Sequence, residues 1–176
     1  MRIAILTISD ASAAGTRDDR SGPIIARWAD ARGASVTARE IVPDEHGEIV
    51  RRLQQWCDAG IADVVLTTGG TGLSPRDVTP EATRAVIERE APGIAELLRA
   101  HGLQSTLRAA LSRGLAGTRA RTLVVNLPGA PKGVEDALGA FDPILDHAVA
   151  VLRDEPTDHS AGAATPEPQP PAVDRA

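Results

Sequence analysis

Short apolar runs with the character of buried strands alternate with helical patterns from residue 1 to about residue 153, and this alternation leaves the chain few folds. Arg2 to Ile8, Ala62 to Leu66 and Thr122 to Leu127 read as buried strands, and Ser35 to Val42 alternates as a further one. Between them, Ile24, Ile25 and Trp28 recur at helical spacing after Ser21-Gly22-Pro23, with Gly33 at the end. Ile49, Val50, Leu53, Trp56 and Cys57 mark a second helical face, stopped by Gly60. A third helix opens at Thr79-Pro80, Thr79 serving as its cap, and carries Ala82, Ala85, Val86 and Arg89 toward Pro92. A fourth runs from Pro92-Gly93 to His101-Gly102, and the span 104–118 fits either helix or irregular support. From Gly133 a helical pattern continues to Arg153, with a new helix start expected at Asp142-Pro143. Strands alternating with helices predict an α/β fold whose mainly parallel sheet is covered on both faces.

The loops after the strands then gather on one edge, where open α/β sheets bind ligands. Ser9-Asp10, Asp44, Gly69 to Asp77 and Asn126 to Pro131 all occupy such places. The most specific is the stretch TTGGTGLSPRDVTPEAT, Thr67 to Thr83. It lacks the Gly-Lys-Ser/Thr of a Walker loop, and Pro75 stands where a dinucleotide fingerprint needs its last glycine. A tight strand-to-helix turn also uses glycines. With Thr68, Thr71, Ser74 and Arg76 beside Gly69, Gly70 and Gly72, the run reads as an anion cradle whose backbone N–H groups approach a phosphate.

Asp77 follows that cradle, so two anions would repel unless a cation lies between them. Mg²⁺ is the expected ion, since it binds one or two carboxylates together with phosphates. Asp44, at another strand end, is the second candidate metal ligand, a helix cap or solvated loop residue being the alternative. Lys132, Ser112 and Arg113 are further phosphate candidates, although a solvated lysine is the other reading of Lys132.

Composition removes other classes. The net charge of −5 comes without a basic block, and Trp28, Trp56 and Phe141 are the only aromatics, which argues against nucleic-acid binding. No apolar run approaches the ~20 residues of a membrane span, so a cytoplasmic protein is expected. Cys57 is the single cysteine and reads as a buried structural thiol. The four histidines lack metal-ligand spacing, which leaves zinc unsupported. From residue 154 to 176 prolines lie among Ala, Thr, Asp and Glu, and this tail is expected to be disordered, with a polyproline ligand as the alternative.

Taken in order, Leu6-Thr7-Ile8-Ser9-Asp10, Asp19-Arg20-Ser21-Gly22-Pro23, Val42-Pro43-Asp44, Thr67 to Thr83, Pro92-Gly93, Leu111-Ser112-Arg113, Val125 to Gly129 and Pro131-Lys132 resemble the MogA/MoaB family of molybdenum cofactor biosynthesis proteins. The resemblance spans residues 1–153 and excludes the tail. It implies a three-layer αβα sandwich, commonly a homotrimer, that adenylylates molybdopterin with MgATP. By position it implies that Asp77 and Asp44 are the essential acidic residues. Gly69 to Gly72 correspond to the phosphate loop, and Ser112 and Asn126 to contacts with the nucleotide-pterin product. Ser9, Asp10, Pro128 and Gly129 fall in the matching segments and join the expected binding site. The same resemblance admits a second function, a non-catalytic protein of the MoaB type that holds molybdopterin or another protein of cofactor biosynthesis. A domain of the larger MoeA/CinA-type proteins fits less well, because the NLPG region matches the smaller family.

Overall fold

A computed structural model describes residues 1–156, so the expected proline-rich tail lies outside the described residues beyond Pro156. The chain order is β1 (Arg2–Ile8), a single turn α1 (Asp10–Ala13), α2 (Gly22–Ala31), β2 (Ser35–Val42), α3 (His46–Asp58) and β3 (Val64–Thr68). There follow α4 (Thr79–Arg84), β4 (Arg89–Glu90), α5 (Pro92–Ser105), a 3-10 turn (Leu107–Leu111), β5 (Ala116–Arg119), β6 (Thr122–Leu127) and α6 (Pro131–Leu152).

The strands form one six-stranded sheet in the order β2-β1-β3-β6-β5-β4. β1 pairs in parallel with β2 and β3, and β3 with β6, whereas β5 is antiparallel to both of its neighbours. Successive side chains on a strand point to opposite faces, and both faces here are apolar. Ile3, Ile5, Val64, Leu66 and Val125 meet Ile25 of α2, Leu98 of α5, and Phe141 and Leu145 of α6. On the other face, Ala4, Leu6, Val65 and Val124 meet Ile49, Leu53 and Trp56 of α3 and Ala82 of α4. The expected three-layer sandwich is thus built from aliphatic side chains, with a single buried Phe at its centre. Cys57 lies within the second layer, where burial pushes its thiol up to about 12.

Three expectations are corrected. The helix opened by Pro80 stops at Arg84, and Arg89-Glu90 form β4 against Thr118 and Gly117. Glu88 N–H and Ala91 N–H donate to the carbonyls of Thr118 and Ala116, both at 2.8 Å, so a free sheet edge replaces further helical bonds. Gly117 permits that approach, because a Cβ there would sit 2.6 Å from both Arg89 O and Ile87 Cδ1. α6 runs unbroken through Pro143, which faces solvent next to an exposed Gly139. Pro143 cannot donate to the Gly139 carbonyl, and that loss falls on the exposed side, while buried Phe141, Leu145 and Val149 hold the opposite side of the helix to the sheet. Finally, α5 continues past Gly102 to Ser105, and Gly102 instead lets Ala109 pack closely. No helix among the described residues is long and apolar enough to cross a membrane.

Candidate active site

β1 lies between β2 and β3, so the chain leaves β1 toward one side of the sheet and later crosses to the other. That reversal opens a crevice beyond the carboxyl ends of β1 and β3. The glycine loop fills its rim. Gly69 and Gly70 adopt φ +99° and +62°, left-handed values that favour glycine, and a Cβ on Gly69 would stand 2.2 Å from Ile8 O. Thr79 does not cap α4 with its side chain. Its hydroxyl donates to Gly69 O at 2.9 Å and its N–H to Gly70 O at 3.1 Å, so helix and loop are tied directly.

Arg113 shapes the rest of the loop from outside. Its backbone N–H donates to Thr71 O at 2.8 Å and its Nε to Gly72 O at 2.6 Å. The terminal nitrogens bond Asp77 O and the Glu81 carboxylate. Arg76 is engaged likewise, donating to both Asp10 oxygens at 3.0 and 2.9 Å and to Glu45 at 2.9 Å. Both guanidinium groups expected at a phosphate therefore fasten loops to one another, and Ser74 accepts from Arg76 N–H at 3.3 Å. Asn126 is buried and fully bonded. Its amide nitrogen donates to Thr67 Oγ1 and Thr83 Oγ1, both at 2.9 Å, and its oxygen accepts from Leu115 N–H at 3.2 Å. Thr68 donates to Pro128 O at 2.6 Å, joining the third and sixth strand ends.

The carboxylates have a different logic. Asp10 and Asp44 bond reciprocally: Asp10 N–H donates to Asp44 Oδ2 at 2.7 Å and Asp44 N–H to Asp10 Oδ1 at 2.9 Å. The Arg76 hydrogen bonds hold the Asp10 carboxyl below its ordinary range. Asp44 is pushed above it, by burial first and then by the charges of Asp10 and Asp77. Asp77 Oδ2 accepts from Ser74 N–H at 2.9 Å. Asp44 and Asp77 each keep one oxygen without a hydrogen bond among the described residues. No group of three or more His, Cys, Asp or Glu that could hold a metal occurs among them. Two carboxylates that repel each other and keep oxygens free do fit an ion completed by substrate phosphates, and that is the manner in which Mg²⁺ binds.

Two cavities meet here. The larger, about 560 Å³, runs from Gly70, Thr71 and Gly72 past Ser112 and Asn126 to Lys132 and the apolar wall of Leu98 and Leu111. The second, about 430 Å³, lies among Ser9, Asp44, Thr68 and Gly69. Gly70, Asp77, Gly129 and Ala130 border both. Lys132 lies on the larger cavity and pairs with Asp136 at 2.7 Å, one helical turn on. Ser112 Oγ accepts from Gly114 N–H at 3.3 Å. Asp10, Ser74, Arg76 and Arg113 border neither cavity. Sequence reasoning missed Arg99 and Arg108 on the larger cavity, and Arg17 and Arg20 on the smaller one. The last two stand in the loop that follows β1, which was the available signal.

Residues 4–147 match the family described as a probable molybdopterin binding domain. A crystal structure of the molybdopterin biosynthesis enzyme MoaB from Thermus thermophilus superimposes with TM-score 0.83 at 48% identity, covering 88% of this chain and 98% of that one. The molybdopterin adenylyltransferase of Helicobacter pylori strain J99 is 38% identical over 86% of this chain and 88% of its own length. The chain belongs to the MogA/MoaB family. Longer members share it too: Drosophila melanogaster molybdenum cofactor synthesis protein cinnamon is 41% identical over 86% of this chain. The chain spans 25% of cinnamon, and between 23% and 48% of the length of cinnamon and two other such relatives.

Proposed function

We propose that this protein adenylylates molybdopterin in molybdenum cofactor biosynthesis, with MgATP as donor, as a cytoplasmic homotrimer. The observation that carries the reading is the shared wall of Gly70, Asp77, Gly129 and Ala130 between two cavities, which suits two substrates reacting end to end. A phosphate oxygen of molybdopterin forms a bond to the α-phosphorus of ATP. The bond from that phosphorus to the β-bridging oxygen breaks, and pyrophosphate leaves with the electron pair. No covalent enzyme intermediate is needed, so the residues position the groups and balance charge.

In this reading the N–H groups of Gly69 to Gly72 face the phosphates, and Ser112 and Lys132 contact the pterin end from the larger cavity. Asn126 acts from beneath, fixing Thr67 and Thr83 under the loop. Asp44 and Asp77 hold Mg²⁺, which supplies positive charge to the phosphate oxygens when bound. Exposed Leu103 and Leu107, on α5 and the following turn, offer apolar surface for association into a trimer.

Purified protein, expected to sediment as a trimer, is expected to release pyrophosphate from MgATP when molybdopterin is supplied and to yield the adenylylated pterin. Binding of molybdopterin without pyrophosphate release, by well-folded protein, overturns the transferase reading in favour of a binding protein.

A further inference from the structure

The cations of the smaller cavity are Arg17 and Arg20, and both stand on the loop between α1 and α2. Three neighbouring arginines are occupied by carboxylates. Arg39 pairs with Asp19 at 3.1 Å, Arg76 with Asp10 and Glu45, and Arg113 with Glu81. Arg17 donates from one terminal nitrogen to Ser9 Oγ at 2.9 Å and forms no ion pair among the described residues. The Arg20 guanidinium has neither a hydrogen bond nor an ion pair among them.

The loop that carries them is firmly anchored. Asp19, adjacent to Arg20, has a side chain only 4% exposed. It accepts from Ser21 N–H at 3.1 Å, Gly22 N–H at 2.9 Å and Thr7 Oγ1 at 3.0 Å as well as from Arg39. Burial alone would raise this carboxyl, and those four donors outweigh it and bring it below the ordinary range. Arg17 N–H is itself bound to Ala11 O at 3.2 Å. Two guanidinium groups without an ion pair among the described residues therefore line the same cavity as Asp44 and Asp77, on a loop whose backbone is anchored.

We infer that Arg17 and Arg20 bind the β- and γ-phosphates of the nucleotide and receive the charge that develops on pyrophosphate as it leaves. This rests on the adenylyl-transfer reading above. A guanidinium fork matches phosphate oxygens bidentately. Arg17 and Arg20 line the same cavity as Asp44 and Asp77, so a polyphosphate there meets guanidinium groups as well as the metal ligands. As the Pα–O bond breaks, the electron pair passes to the β-phosphate oxygen, so contacts to that group strengthen toward the transition state.

The test uses the full chain, titrated calorimetrically with magnesium pyrophosphate and, separately, with AMP. Arg20→Ala is expected to weaken pyrophosphate binding roughly tenfold and Arg17→Ala/Arg20→Ala on the order of a hundredfold, with AMP affinity unchanged. Arg20→Lys should recover part of the loss, and raising the salt concentration should narrow the gap between wild type and variant. Equal pyrophosphate affinity in wild type and double variant overturns the assignment, as does an equal loss of AMP binding. The two readings separate cleanly. Wild-type turnover that the variants share removes the arginines and leaves the transferase. A pyrophosphate site lost in the variants of a protein that transfers no adenylyl group keeps the arginines and removes the transferase.

Discussion

An aspartate stands near each end of the sheet, and the two are surrounded in opposite ways. At the amino end of β3, Asp63 is 3% exposed and accepts from Arg2 N–H at 2.7 Å and Arg2 Nη2 at 2.9 Å, with Arg153 at 2.6 Å. Burial alone would raise its carboxyl, but the Arg153 and Arg2 bonds hold it well below the usual carboxylate range. At the other end, Asp44 is raised by burial and faces the charges of Asp10 and Asp77. The first arrangement is complete within the chain and ties the start of β1 to the end of α6. The second leaves an oxygen of Asp44 and one of Asp77 without a hydrogen bond among the described residues, and in the proposed reading a cation completes it. Asp63 is a structural element, whereas the like charges around Asp44 are what the proposed cation would offset.

The comparison breaks most visibly at Asp77. Asp77→Asn keeps an oxygen for Ser74 N–H and is expected to lower the rate of pyrophosphate release by about a thousandfold at an unchanged melting temperature. Turnover close to wild type would detach Asp77 from the chemistry. The opposite pattern is expected at Asp63. Asp63→Ala should reduce stability in urea unfolding by about 2 kcal/mol, below the usual cost of breaking a buried pair because both arginines are partly exposed, with turnover intact. Since the folded pKa of Asp63 is depressed, its stabilisation is present above the unfolded value of ~3.9 and disappears as pH falls through the folded one. A gap between wild type and variant that closed already near neutral pH would contradict the clamp.

The smallest effect is expected at Asp44. Asp44→Asn should raise the stability of metal-free protein at neutral pH by about 0.5 kcal/mol while abolishing the heat of Mg²⁺ titration. Here the folded pKa is raised, so ionised Asp44 costs stability above it, and the difference fades as pH drops below the unfolded value. A destabilised variant would show that Asp44 serves the fold rather than the ion.

Much of this architecture was legible in the residues because β1, β3 and β6 each carry an apolar run and β2 alternates. β1, β2, β3 and β6 are read from local pattern, and the loops after them follow by topology. β4 and β5 were not legible. A two-residue strand, and a four-residue one reading Ala-Gly-Thr-Arg, have no periodicity to detect, and only pairing across the sheet edge defines them. The continuity of α6 through Pro143 likewise depends on which side of the helix faces water. At the site, residue types pointed to the right edge of the sheet but not to their partners. Arg76 and Arg113 carry the same charge as Arg17 and Arg20, and only the fold reveals which guanidinium groups face carboxylates. The Lys132 pairing was within reach, because Asp136 lies four residues on in a helical pattern.

The cradle itself is closely confined by its neighbours. A methyl group on Gly70 would lie 2.3 Å from Thr79 Oγ1, one on Gly72 2.9 Å from Asp77 Oδ2, and one on Gly129 3.2 Å from Gly69 Cα. Substitution is expected to cost most at Gly70, where the close contact coincides with φ +62°. The far wall of the larger cavity is less confined, since Arg108 lines it, is exposed and lies away from the glycine loop in sequence. A substitution at Arg108 is therefore expected to alter what the larger cavity accepts while the rim of the crevice stays as it is.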